Sequence, residues 1–187
     1  MEQLKSWETK KKIFALFGIL SALLTVGNLF IPIFSGDLSS LVDMLKIGNN
    51  EIFGLYSNGI SLVGFAVACI KIVNSFGKAL GSLSGVYIAI AVFVGIIALF
   101  SLINLIAALC KKPVLSMVFS ILIFIFAIAE FGFYSITGLL EGTGYSIGAA
   151  VYIYIVCFVI SFIMDILMIV ANTRIKKLKA QNNINAK

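Results

Sequence analysis

Histidine is missing from this sequence of 187 residues, and formally charged residues make up only 12% of it. Because histidine is the usual acid–base group near neutral pH and a common metal ligand, its absence excludes Ser-His and Cys-His nucleophile pairs and His-ligated metals. An ordinary soluble domain is about 25% charged. The shortage of charge therefore indicates an integral membrane protein, and the lack of histidine argues against an enzyme.

Cysteine, proline and tryptophan are also scarce, with three, two and one residues respectively. Cys69, Cys110 and Cys157 lie far apart and form no C-x-x-C motif. This spacing argues against a zinc site and leaves room for at most one disulfide. We therefore expect no metal and no cofactor.

Long apolar runs take the place of these residues, with 61% hydrophobic residues and a mean hydropathy of +1.12. The run from Val86 to Leu109 carries no formal charge, and about 20 such residues suffice to cross a bilayer core. Cys110-Lys111-Lys112-Pro113 closes this run, and a second apolar run follows at once. The pattern predicts a membrane-spanning hairpin.

Four such runs predict an all-α integral membrane protein, an antiparallel four-helix transmembrane bundle with one structured outer segment. The predicted segments, in chain order, are a cytoplasmic N-terminus 1–12, a first span 13–34, an outer segment 35–84, a second span 85–110, a cytoplasmic turn 111–113, a third span 114–136, an outer turn 137–146, a fourth span 147–171 and a cytoplasmic tail 172–187. The last residues of the polar tail are expected to be disordered.

The basic residues favour this topology over one with five spans. With four spans, only Lys46, Lys71 and Lys78 lie outside, as the positive-inside rule requires. A fifth span over 55–73 would put the termini on opposite sides and translocate a basic end. We therefore predict a multi-pass protein of the cell membrane with both termini cytoplasmic. The net charge of +6 then reflects basic residues that orient the protein in the membrane, and it does not indicate nucleic-acid binding.

The outer segment 35–84 carries two local signals. The stretch 37–46 has apolar residues at helical spacing, which predicts a short amphipathic helix. Asn58-Gly59 lies between two β-prone runs, which predicts a β-hairpin. A fifth span over 55–73 remains the competing interpretation of the second signal.

Gly77, Gly81 and Gly85 follow at intervals of four residues before the second span. Small residues at this spacing let helix backbones approach closely. We interpret the series as helix packing within the monomer or a flexible entry to the span, with an oligomer contact or a pore lining as the alternative.

Four polar residues inside the spans form two predicted layers. At a rise of 1.5 Å per residue, Asn28 and Glu130 reach the outer boundary, whereas Asn104 and Asp165 lie about 9 Å from the inner end. Intramembrane charges are costly and normally face a partner inside the bundle. We interpret each carboxyl as neutral, or as hydrogen-bonded to the amide at its own level, with a cation or proton pathway as the alternative.

The outer segment also contains Gly54-Leu55-Tyr56, then Gly59, then Cys69. With the four spans, this order resembles the claudin-like tetraspan superfamily, whose outer loop carries a W…GLW…C…C pattern. Tyr56 stands in place of the tryptophan and Gly59 in place of the first cysteine, so the loop disulfide cannot form. The resemblance implies a β-hairpin packed over a left-handed four-helix bundle, contacts with partner proteins and no catalysis.

The predicted function is therefore that of a non-enzymatic four-span protein acting by protein–protein contacts through the outer segment 35–84, as a structural, adhesion-like or accessory subunit. Its expected surroundings are the lipid bilayer, and its expected partner is another protein or a second copy of itself. The alternatives are a small oligomeric channel or transport subunit and a bacterial immunity or toxin-resistance protein.

Overall fold

The computed structural model describes residues 2–36, 55–56, 59–136 and 146–185. Within these ranges it contains five long helices and a four-stranded sheet. The elements are α1 (Glu2–Gly27), a 3₁₀ turn (Asn28–Phe30), β1 (Pro32–Ser35), β2 (Leu55–Tyr56), β3 (Gly59–Ser61), α2 (Leu62–Leu80), α3 (Leu83–Leu109), α4 (Pro113–Ile136), β4 (Ser146–Ile147) and α5 (Ala149–Asn185).

All five helices are long and apolar enough to cross a membrane, and large apolar side chains such as Leu99 and Val156 are exposed on their outer faces. The chain is therefore a multi-pass membrane protein. The prediction of four long helices was wrong, because α2 occupies residues that were expected to form a strand and a loop. The Ser61 hydroxyl accepts a hydrogen bond from the Gly64 amide at 3.0 Å and caps this helix, so the β-prone residues after it become helical.

The sheet has the strand order β2-β3-β1-β4, with every neighbouring pair antiparallel. The predicted hairpin is confirmed, since Tyr56 pairs with Gly59. The sheet brings the end of α1, the start of α2 and the start of α5 close together. We call this the sheet end of the bundle. The opposite end, which holds Lys111 and Lys112, is called the basic end.

Two antiparallel helix pairs build the bundle. The hairpin of α3 and α4 turns at 110–112, where Lys111 has a φ of 55°, and Pro113 begins α4, the helical position that tolerates proline best. Phe93 and Phe126 meet across this hairpin at 5.8 Å. The second pair is α1 with α5, which contact each other along most of their lengths.

The ends of α1 and α5 differ from the predicted boundaries. The first span was expected to continue to residue 34, but residues 32–35 form β1. The last residues of the tail were expected to be disordered, but α5 continues to Asn185, and the two residues after it lie outside the described ones. It continues because Ile175 is still buried and Lys179 pairs with Glu8 at 3.6 Å. The amphipathic helix predicted over 37–46 lies outside the described residues.

Gly81 forms the turn between α2 and α3, with a φ of 53° and a ψ of −123°. Only glycine adopts this backbone region readily. The turn assigns Gly77 to α2 and Gly85 to α3, and Gly85 has no described atom within 4 Å of where a Cβ would lie. The three glycines therefore do not share one helix, and their role in helix packing or as a flexible entry to the span stays a prediction.

Candidate functional site

Buried polar side chains continue through the interior of the bundle, from the basic end to the sheet end. They are supplied by α1 and the 3₁₀ turn after it, and by α3, α4 and α5, and each is less than 9% exposed. The set is Ser21, Thr25, Asn28, Ser101, Asn104, Ser116, Ser120, Glu130, Ser161 and Asp165. We call this set the polar column.

The group nearest the basic end is built around Ser116. Its hydroxyl donates to the Asn104 side-chain oxygen at 2.9 Å and also lies within hydrogen-bonding reach of the Asp165 carboxylate. The α3–α4 hairpin brings Asn104 and Ser116 together because its turn lies halfway between them. The predicted layer of Asn104 and Asp165 therefore meets at a shared serine.

Asp165 is only 3% exposed, and its Oδ2 atom has no hydrogen-bond partner among the described residues. An unsatisfied carboxylate oxygen is costly inside a membrane. One turn further towards the sheet end, the hydroxyls of Ser120 and Ser161 lie 3.0 Å apart and join α4 to α5. Asp165 therefore lies on the basic-end side of the hydroxyl groups of Ser120 and Ser161.

A cavity of about 20 Å³ lies in the middle of the column, lined by Thr25, Asn104, Ser120 and Tyr154 among others. About 10–15 Å³ is enough to hold one water molecule. Thr25 donates to the Ser21 carbonyl within α1, and Ser21 donates to the Cys157 carbonyl of α5 at 2.7 Å. The cavity therefore has polar groups on four helices, α1, α3, α4 and α5.

The group at the sheet end contains Asn28, Glu130 and Tyr154. Asn28 donates to the Ala150 carbonyl at 2.8 Å, so its contact is with the backbone of α5. The amide oxygen of Asn28 has no hydrogen-bond partner in the described structure, and the pairing of Asn28 with Glu130 stays a prediction. Glu130 also lies near Cys69 and Tyr154.

The remaining predicted residues are divided between the sheet and α2. Leu55 and Tyr56 form β2, Cys69 is buried in the first half of α2 at 1% exposure, and Gly54 lies outside the described residues. Cys69, Cys110 and Cys157 are all free thiols. In the described ranges, no group of three His, Cys, Asp or Glu side chains could hold a metal ion.

Sequence reasoning missed Tyr154 and the serines. Ser116 and Ser120 are spaced four residues apart on α4, which puts both on one helix face, and this spacing is a signal that could have been used. The Ser120–Ser161 contact joins two helices at a separation of 41 residues, and no local pattern predicts it. Comparison with family models, curated proteins and solved structures finds no match to this chain.

Proposed function

We propose that this chain is a non-enzymatic membrane protein with four crossings that binds a protein partner through the sheet-end segment 35–84. The observation that carries the proposal is a polar stripe on α2. Lys71, Asn74, Ser75 and Lys78 recur at helical spacing, and all four are exposed. Such a face is unfavourable against lipid and favourable against water or an acidic protein surface.

The positions of the helix ends support four crossings. α1 ends, and α2 and α5 begin, at strands of one sheet. Glu130, near the end of α4, lines a cavity with Ile33 and Leu62, so α4 also ends there. Ile90, near the start of α3, lines a second cavity with Glu130. Both ends of α2 then lie towards the sheet end, which supports the proposal that α2 does not cross the membrane.

The claudin-like resemblance is compatible with this arrangement. It implies a hairpin in the outer segment and a helix after the second cysteine position, and here β2–β3 precede α2 in the chain. The positive-inside rule favours the basic end as the cytoplasmic one, since Lys111, Lys112 and the lysines of both termini share it. Segment 35–84 is then extracytoplasmic.

We expect cysteine labelling to report the topology. In a Cys110→Ser background, where the other native thiols are buried, Lys71→Cys and Lys78→Cys should react with an impermeant maleimide from one side of the membrane. Lys111→Cys and Lys176→Cys should react from the other side. Were α2 a fifth crossing, a cysteine near the N-terminus, at the exposed Lys5, would react from the side opposite to Lys111→Cys and Lys176→Cys, and the four-crossing proposal would be wrong.

Site-specific photo-cross-linking in native membranes tests the binding function. A photoreactive residue at Asn74 or Lys78 should give a protein adduct of discrete mass, whereas one at Leu99, which is 55% exposed on α3, should react with lipid. Because Lys71 and Lys78 are both exposed, reversing their charges should remove the adduct without changing the melting temperature.

Lys176→Glu combined with Lys177→Glu is the matched control, because it makes the same charge change at the basic end. That variant should keep the adduct. An adduct at the mass of two copies would identify the partner as this chain itself. Lipid adducts alone at Asn74 and Lys78 would mean that α2 rests on the membrane surface, and the binding proposal would be wrong.

The polar column favours a second function, the transfer of protons or small cations between Asp165 and Glu130. Hydroxyl groups and a water-sized cavity lie between these two carboxyls, and an intramembrane ionisable residue is a functional-site hypothesis by default. A proton flux into liposomes that Asp165→Asn abolishes would favour transport over binding.

A further inference from the structure

A cleft between α4 and α5 lies at the sheet end and has a volume of about 400 Å³. This volume is in the range of small-molecule binding sites. Its walls are almost wholly apolar, and Phe124, stacked on Phe158 at 4.1 Å, forms part of them. Among the described residues, Glu130 and Tyr154 are the polar side chains that line it. We call it the Glu130–Tyr154 cleft.

The cleft opens towards lipid. Ile128 of α4 and Ile155 of α5 line it and are 56% and 47% exposed on the outer face of the bundle. An occupant therefore enters sideways from the bilayer and has an apolar part that matches these walls. Glu130 lies 17 residues after Pro113, which corresponds to about 25 Å along the helix, close to the level of the lipid headgroups on the sheet side.

The polar end of the cleft favours a ligand whose head group is positively charged and forms hydrogen bonds. Tyr154 is 8% exposed, and its hydroxyl has no hydrogen-bond partner among the described residues. A buried hydroxyl without a partner is costly, and a ligand that bonds to it removes that cost. Glu130, at 5% exposure, adds an acidic group to the same wall, which favours an ammonium and disfavours a phosphate or carboxylate at this point.

We propose that the Glu130–Tyr154 cleft binds a phospholipid with a primary ammonium headgroup, taken from the sheet-side leaflet. The ammonium contacts Glu130 and Tyr154, and one acyl chain follows the apolar walls towards Phe124. A quaternary ammonium head has no N–H to donate, so a choline lipid fits less well. A glycerol head lacks the charge.

Native mass spectrometry of the full chain in mild detergent tests this proposal. The probes are ethanolamine, choline and glycerol phospholipids with identical acyl chains. Wild-type protein should retain the ethanolamine lipid about tenfold more strongly than the other two, the ratio expected for a charge-assisted hydrogen bond. Glu130→Gln should reduce this ratio to about one, and Tyr154→Phe should reduce it several-fold.

Two further variants make the result specific. Asp165→Asn changes an acid to an amide at the basic end, as Glu130→Gln does at the sheet end, and should leave the preference unchanged. Ile155→Trp fills the cleft without altering a polar group and should reduce retention of the ethanolamine lipid, so it tests the site even if Glu130→Gln fails to fold. The proposal is overturned if wild-type protein shows no preference for ethanolamine, if folded Glu130→Gln keeps the preference, or if only a free long-chain amine binds.

Discussion

Gly148→Ala should be among the most destabilising single substitutions in the described part of this protein. Gly148 connects β4 to α5, and its amide donates to the Ile33 carbonyl at 2.7 Å. A Cβ at this position would collide with the Pro32 carbonyl oxygen and lie 2.8 Å from the Ile33 carbonyl carbon. Both obstacles are backbone, so β1 and the start of α5 would have to separate.

We expect a loss of about 3 kcal/mol in the free energy of unfolding, the upper range for overpacking, which corresponds to roughly 6–12 °C in melting temperature for a chain of this size. Thermal unfolding in detergent measures it. Gly95→Ala is the matched control, because Gly95 is exposed on α3 and nothing described lies within 4 Å of its Cβ position. If the Gly148→Ala and Gly95→Ala proteins had the same melting temperature, this account of the sheet end would be wrong.

Asp165→Ala and Asn104→Ala should destabilise the protein by more in combination than the sum of their separate effects. Ser116 has one hydroxyl proton and two acceptors within reach, the Asn104 oxygen at 2.9 Å and the Asp165 carboxylate. When either acceptor is removed, the hydroxyl can still donate to the other. Removing both acceptors leaves the Ser116 hydroxyl buried without a partner. In a Ser116→Ala background, the effects of Asp165→Ala and Asn104→Ala on stability should be additive.

Each single substitution should cost about 1–2 kcal/mol, since hydrogen bonds between membrane helices are modest, and the interaction term should be at least about 0.5 kcal/mol. Unfolding in mixed micelles with increasing denaturing detergent gives these values. Asn104→Ala combined with Asn28→Ala is the control pair, because Asn28 bonds to Ala150 at the other end of the bundle, and its effects should be additive. Additivity in the Asn104–Asp165 pair as well would mean that Ser116 does not couple them.

The depth of the polar residues could be predicted from the sequence because helix rise is constant and each span has a marked end. Asn104 and Asp165 were placed at one level by counting residues from Cys110 and Ala171, and the structure brings both to Ser116. Counting gives the level of a residue but not its direction around the helix. Asn28 and Glu130 were assigned to one level for the same reason, yet Asn28 faces Ala150.

The course of residues 62–80 could not be predicted because hydropathy does not distinguish a strand from a helix in a short apolar run. The decision depends on Ser61, which is both the last residue of β3 and the cap of α2. The strand pairing of β1 with β3 and β4 is also invisible in the sequence, since it joins residues 32–35 to partners about 25 and 110 positions away. The cleft at Glu130 and Tyr154 depends on the same long-range contacts.

The pairing of α1 with α5 has a consequence for biosynthesis. Among the described helices, α1 is made before α2, α3 and α4, and its main partner α5 follows all of them, so α1 must wait in the bilayer until α5 has been made. Strand β1 waits equally long for β4. Contacts of such high sequence separation form late, so the Ser21 hydroxyl lacks its acceptor on α5 in the meantime. Truncation near residue 149 would leave α1 permanently in that state.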